Sequence, residues 1–297
     1  TWSGYRTGYI RSGNSLNVVS ELLAPKTIQE AKYSGLLITE QHTLLDSLSW
    51  NDTARYLRHY HDRLIDGNPD AKTYFYESWI SLDNKSDPSR WIAYERAASP
   101  VWQCIATRIN VSLGAEGRSD RIVPLPAGAA LADLVSDAVG QPGMAGITLG
   151  SVRETVDSIV GDNVHLTELG SYYMALVTYS AIFGRTPEGA WRPSGLSDAQ
   201  TQSLQRKAWA FVSNYTLTNK PLTLDECVTV LKTSFIRTYW GYVRDTYWIP
   251  GGSNTISAYF RWLRLVLKWQ WLVRQNTAEN PFFFSQESDQ AYWFAPP

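Results

Sequence analysis

Asp162 stands three residues before His165 in Asp162-Asn163-Val164-His165-Leu166-Thr167-Glu168-Leu169-Gly170, just ahead of a helical apolar pattern. A carboxylate at that spacing can accept a hydrogen bond from one imidazole nitrogen. This fixes the tautomer and leaves the other nitrogen to take a proton from a hydroxyl. The hydroxyl with a local signature is Ser15, in Gly13-Asn14-Ser15-Leu16, where a turn-forming Gly-Asn pair precedes an apolar helix start. Such a turn exposes the serine and points backbone N–H groups of the helix start at a developing oxyanion. Nucleophile, base and orienting carboxylate together would perform acyl transfer. The same residues have simpler uses, since Asp and Ser are both preferred helix caps.

Other polar residues compete for attention. Glu40 and His42 follow the apolar run Leu36-Leu37-Ile38, and Glu77 follows Thr73-Tyr74-Phe75-Tyr76. Open α/β sheets bind ligands at strand ends, so each is a candidate pocket residue. A Glu40–Glu77 pair of glycosidase type is a weaker alternative. His59 and His61, two apart on a helix, point to different faces and do not make a metal pair. With no other His, Cys and carboxylate cluster, no metal is expected. Cys104 and Cys227 either form one disulfide or stay buried as small apolar side chains.

The elements that would position these groups alternate short apolar runs with amphipathic helices, the pattern of a sheet with crossover helices. Strands are expected at Leu36–Thr39, Thr73–Tyr76 and Ile122–Leu125. Helices are expected from Asn51 or Asp52 to about Ile65, and from Trp91 to about Val111 with a kink or restart near Pro100. Further helices are expected over Ala127–Val139, from the His165 segment to Gly184, and over Asp198 to about Tyr215. Beyond Thr218 the alternation stops, and six of the 13 Trp fall there. Residues 218–297 read as a Trp-rich helical extension with an irregular tail.

Within that extension Trp262, Leu263, Leu265, Val266, Trp269 and Leu272 form an apolar stripe broken by Arg261, Arg264, Lys268 and Arg274. Such a helix can pack on the first domain, dock a protein partner or lie on a membrane surface. No run of 18 apolar residues is present to span a bilayer as a helix. A formal net charge of −1 gives no footprint for nucleic acid. The chain opens at Thr1 with neither Met nor a secretion signal, which reads as removal of something upstream.

The segment Asp162-x-x-His165-Leu-x-x-x-Gly170-x-Tyr172 resembles the last block of the SGNH (GDSL-like) hydrolases, whose Asp and His complete a Ser-His-Asp triad. Leu36-Leu37-Ile38-Thr39-Glu40, Asn68-Pro69-Asp70 leading into Tyr74-Phe75-Tyr76-Glu77-Ser78-Trp79, and Ile122-Val123-Pro124-Leu125-Pro126-Ala127-Gly128 are similar to neighbouring stretches of that family. The resemblance covers roughly residues 1–217 and implies a three-layer αβα, flavodoxin-like α/β domain. It also implies a serine esterase without a cofactor, exported to the periplasm or secreted, acting on an acylated and often carbohydrate substrate as an O-acetylesterase or acyltransferase. Ser15, His165 and Asp162 would be catalytic, with Gly13, Asn14, Gln41 and His42 at the oxyanion or pocket.

The chain departs from the family at two blocks. The usual Gly-Asp-Ser-Leu is Gly13-Asn14-Ser15-Leu16, and only about 20 residues separate Ser15 from the Leu36 strand. Ser15 is then the nucleophile, or this is the family's second block, and the nucleophile lies upstream or is absent. The Gly-x-Asn-Asp block is missing, and the Gln41 amide is the nearest substitute. The alternative function is a non-catalytic SGNH-like subunit that assembles through its Trp-rich segment.

Overall fold

The computed structural model describes residues 33–294. Gly13, Asn14 and Ser15 therefore lie outside the described residues. Three parallel strands, β1 (Gly35–Thr39), β2 (Lys72–Tyr76) and β3 (Ile122–Leu125), pair in chain order, with Leu37 beside Tyr74 and Tyr74 beside Val123. Thr73, Tyr74 and Phe75 of the central strand β2 are buried, as are Ile122 and Leu125 of β3, whereas β1 alternates exposed and half-buried residues. The molecule is mixed α/β and mainly helical.

The crossovers are helices. β1 leads through α1 (Leu44–Trp50) and α2 (Thr53–Gly67) to β2, and β2 through α3 (Ser89–Ala115) to β3. Ala54, Leu57, Tyr60 and Leu64 of α2 are buried at the expected helical spacing. His61 ties α2 to the sheet, with Nδ1 2.9 Å from Thr73 Oγ1 and Nε2 2.7 Å from Asp120. Phe75 of β2 packs against Trp102 of α3 at 5.2 Å between ring centroids. Instead of restarting at Pro100, α3 runs unbroken through it. The missing N–H frees the carbonyl of Arg96, which lies on an exposed position where solvent can replace the lost donor. After β3 come α4 (Ala127–Val139), α5 (Val152–Ile159), α6 (Glu168–Phe183) and α7 (Asp198–Thr218). Gly184, in the left-handed conformation at φ 61°, ends α6 where the sequence places a stop.

The C-terminal part is helical as well. One long helical stretch comprises α8 (Leu224–Val230), a π segment (Leu231–Phe235), α9 (Ile236–Val243) and a second π segment (Arg244–Trp248). It is followed by α10 (Thr255–Leu272) and α11 (Gln286–Tyr292). Cys104 of α3 and Cys227 of α8 form a disulfide, both sulfurs buried, which settles the choice the sequence leaves open. One apolar cluster includes Leu57, Phe75, Leu125, Phe235, Trp269 and Phe282, so residues on both sides of Thr218 share a core.

Trp91 and Trp102 of α3, with Trp240 and Trp269 of the C-terminal helices, rank among the largest fully buried side chains, so tryptophans on both sides of Thr218 pack in the interior. The described part of the tail is irregular over 273–285 and then forms α11, which is clamped onto α3. Asp289 accepts hydrogen bonds from Arg108 and Ser112, and the Arg108 guanidinium sits 5.1 and 5.0 Å from the Tyr292 and Trp293 rings. Both charges are buried, and each compensates the other. No helix among the described residues is long and apolar enough to cross a membrane.

Candidate functional site

The segment between α5 and α6 folds as a small closed loop. Val160 and Leu166 form an antiparallel bridge, and the Gly161 N–H donates to the His165 carbonyl at 2.8 Å. Thr167, and not Asp162, caps α6, its side chain accepting from the Gly170 N–H. Asp162 is thereby free for the loop. Its Oδ1 accepts from the N–H groups of Val164 and His165 at 2.6 and 2.7 Å, and its Oδ2 lies 2.7 Å from His165 Nδ1. The His165 ring contact and these two N–H groups hold the Asp162 carboxyl well below the usual carboxylate range.

Three groups from outside fix the loop. The Trp79 indole donates to the Val164 carbonyl at 2.8 Å, and the Leu82 N–H to the Asn163 carbonyl at 2.7 Å. Lys85 donates to Asp157 and to the Val160 carbonyl, both at 2.7 Å. Trp79 and Leu82 belong to the loop leaving β2, so Asp162 and His165 are tied to the C-terminal end of the sheet. The dyad itself is open, with side-chain exposures of 85% for His165 and 62% for Asp162. Gly170 lets α6 approach this closely, because a Cβ there would meet the Ile159 carbonyl oxygen at 2.3 Å.

Gln41 and His42 leave the same end of the sheet from β1. Gln41 is exposed, and His42 is half-buried in stacked contact with Tyr247, ring centroids 6.3 Å apart. Burial lowers the imidazole pKa of His42. Tyr247 had no sequence signal for this place. It sits in the second π segment, where the extra residue per turn re-aims side chains. Its hydroxyl accepts from the Ser81 N–H at 3.2 Å, and the Tyr242 hydroxyl donates to the Ser81 carbonyl at 2.8 Å. The C-terminal helices therefore brace the β2 loop that in turn holds the His165 loop.

The two acids at strand ends are interior groups and do not line a pocket. Glu40 is 3% exposed and accepts from the Gln41 N–H at 2.7 Å and the Thr53 hydroxyl at 2.8 Å. Glu77 is fully buried and accepts from Ser99 at 2.8 Å. Burial pushes its carboxyl up to about 8. Carboxylates buried in this way are not poised to flank a substrate bond as a glycosidase pair does. Among the described residues no three His, Cys, Asp or Glu side chains gather as a cation site. Two grooves of about 390 and 410 Å³, beside Arg96 and Phe283 respectively, are lined by neither member of the dyad.

Compared with protein-family models, with curated proteins and with solved structures, the chain matches none.

Proposed function

We propose that the protein is a serine esterase of SGNH type, with a flavodoxin-like sheet, that hydrolyses or transfers an acyl group on an acylated carbohydrate. The observation that carries this reading is the Asp162–His165 contact at 2.7 Å, on a loop whose backbone also clamps the carboxylate. That contact fixes the Nδ1 proton toward Asp162 and leaves Nε2 as the base. The sheet adds support. In a flavodoxin-like sheet of order 2-1-3-4-5 the last three strands neighbour one another in chain order, as β1, β2 and β3 do here, and ligands bind at their C-terminal ends.

In the proposed reaction Ser15 is the nucleophile. Its hydroxyl passes its proton to His165 Nε2 as the oxygen attacks the acyl carbonyl, and Asp162 stabilises the imidazolium. Collapse of the tetrahedral intermediate expels the alcohol, which takes the proton back from His165. Water, activated by the same ring, then releases the acid. In this reading Gly13, Asn14, Gln41 and His42 serve as oxyanion or pocket groups. Because the dyad is open to solvent, bound substrate must supply the exclusion of water that strengthens the charge interactions.

Hydrolysis of p-nitrophenyl acetate by the parent chain, Ser15→Ala, His165→Ala and Asp162→Asn tests the assignment. Expected are loss of activity in the first two variants and a fall of roughly 10³-fold or more in Asp162→Asn, from the wrong imidazole tautomer. Activity retained in Ser15→Ala but lost in His165→Ala moves the nucleophile elsewhere. The second reading, a non-catalytic subunit, is favoured by the 85% exposure of His165, and inactivity of the parent with all esters supports it.

A further inference from the structure

Among the described residues, helix α10 packs on its neighbours with one face. Ala258, Val266 and Trp269 are buried, whereas Ile256, Phe260, Leu263, Leu267 and Trp271, spaced by three and four, are between 45% and 70% exposed. The stripe anticipated from sequence thus divides. Trp262, Val266 and Trp269 turn inward, and Leu263 turns out with four further apolar residues. An apolar row of this length, fully formed and uncovered among the described residues, calls for an apolar partner.

The charge pattern narrows that partner. From Thr255 to Arg274 the chain carries Arg261, Arg264, Lys268 and Arg274, all exposed, and no acidic residue. At 3.6 residues per turn, Arg261, Arg264 and Lys268 run along one margin of the apolar row. Aromatic rings flank the same margin. The Arg261 guanidinium lies 4.1 Å from the Trp248 ring centroid and the Lys268 ammonium 5.1 Å from that of Trp50, itself 74% exposed. Pairing with a second copy of this face would bring two cationic margins together in an apolar contact, which is unfavourable. An anionic bilayer accepts every part of the pattern. Leucine and phenylalanine enter the acyl boundary, tryptophans sit at headgroup depth, and cations meet phosphates.

We propose that α10 seats the protein on the surface of an anionic lipid bilayer, lying in the interface with Phe260, Leu263, Leu267 and Trp271 inserted. Trp50 ends α1, a helix about 10 Å long that begins two residues after His42. The docking does not depend on the acyl-transfer chemistry.

Flotation of the full chain with vesicles tests it, comparing mixed phosphatidylcholine and phosphatidylglycerol with phosphatidylcholine alone. The parent is expected to float with the mixed vesicles and to bind pure phosphatidylcholine at least about tenfold more weakly. Arg264→Gln with Lys268→Gln is expected to weaken binding about tenfold or more, since each cation at an anionic surface contributes roughly fivefold. Phe260→Ser with Leu267→Ser should weaken it as strongly. All four side chains are exposed, so the variants are expected to melt with the parent. If the apolar pair disturbs the fold, the charge pair decides. Failure of the parent to float, equal binding to both vesicles, or variants that bind like the parent overturns the proposal. So does a dimer in sedimentation, or capture of an acidic protein, that Leu267→Ser breaks while vesicle binding is absent.

Discussion

Glu77 closes β2 with its carboxyl wholly inside the molecule, accepting from Ser99 and facing Glu95 across Gly128. Burial holds Glu77 up at about 8, so it is largely neutral at pH 7, and pushes Glu95 well above its usual value. A carboxyl raised on folding adds most to stability below the unfolded value near 4.5. That contribution is lost as pH rises through about 8, because the unfolded chain gives up its proton first. Glu77→Gln keeps an acceptor for Ser99 and has nothing to ionise. Thermal melts should show it close to the parent at pH 5 and more stable at pH 9, by on the order of 3 kcal/mol. A gap independent of pH would contradict the assignment. The interior fate of Glu77 was not legible in the sequence, where a carboxylate at a strand end reads as pocket lining. Ser99 and the Ala129 N–H, which engage it, come from distant parts of the chain. Asp162 and His165 were legible because their contact closes within one loop.

At the scale of elements, the loop that carries the dyad depends on how closely α6 starts against α5. Gly170→Ala would place a methyl group against the Ile159 carbonyl oxygen, and backbone on both sides must yield. The expected cost is about 3 kcal/mol of stability, as for overpacking in a tight interior, with loss of the ordered Asp162–His165 contact. Denaturant melts and the His165 imidazole NMR signals check both effects. A neutral substitution would show that the approach is looser than described. Local pattern was a good guide to β1, β2, β3, α4 and α6, each bounded by its own turn residues. It also marked the long helix α3, which runs through Pro100 because packing along its length outweighs one missing hydrogen bond. It was less complete on α10, whose apolar residues circle more of the helix than one packing face can cover. Sequence alone does not say which of them a neighbour reaches. The π segments, which bring Tyr247 to His42, leave no periodic trace that a run of aromatic residues would reveal.

The whole molecule is held together across Thr218. Cys104 and Cys227 are 123 residues apart, and closing a loop of that size restricts the unfolded chain by about 5 kcal/mol in the entropy model. Cys104→Ala with Cys227→Ala should therefore lower stability by about 2–5 kcal/mol in denaturant melts, and reduction of the parent should do the same. Tyr242 and Tyr247 hold the β2 loop from the far side of that bridge, so losing the cross-link should also reduce any hydrolysis that needs the His165 loop in place. Sequence divides the chain at Thr218 by composition, while the core, the disulfide and the Arg108–Asp289 clamp join the parts. Long-range pairings of this kind are set by the fold and not by local spacing. The reading of the protein as a serine acyltransferase rests on one nucleophile activated by His165. Labelling of the full chain with a fluorophosphonate, followed by intact mass and peptide mapping, measures that directly, since an activated serine oxygen displaces fluoride to form a phosphonate ester. A single adduct on Ser15, abolished in His165→Ala, is the expected result, and a chain that remains unlabelled while folded would contradict it.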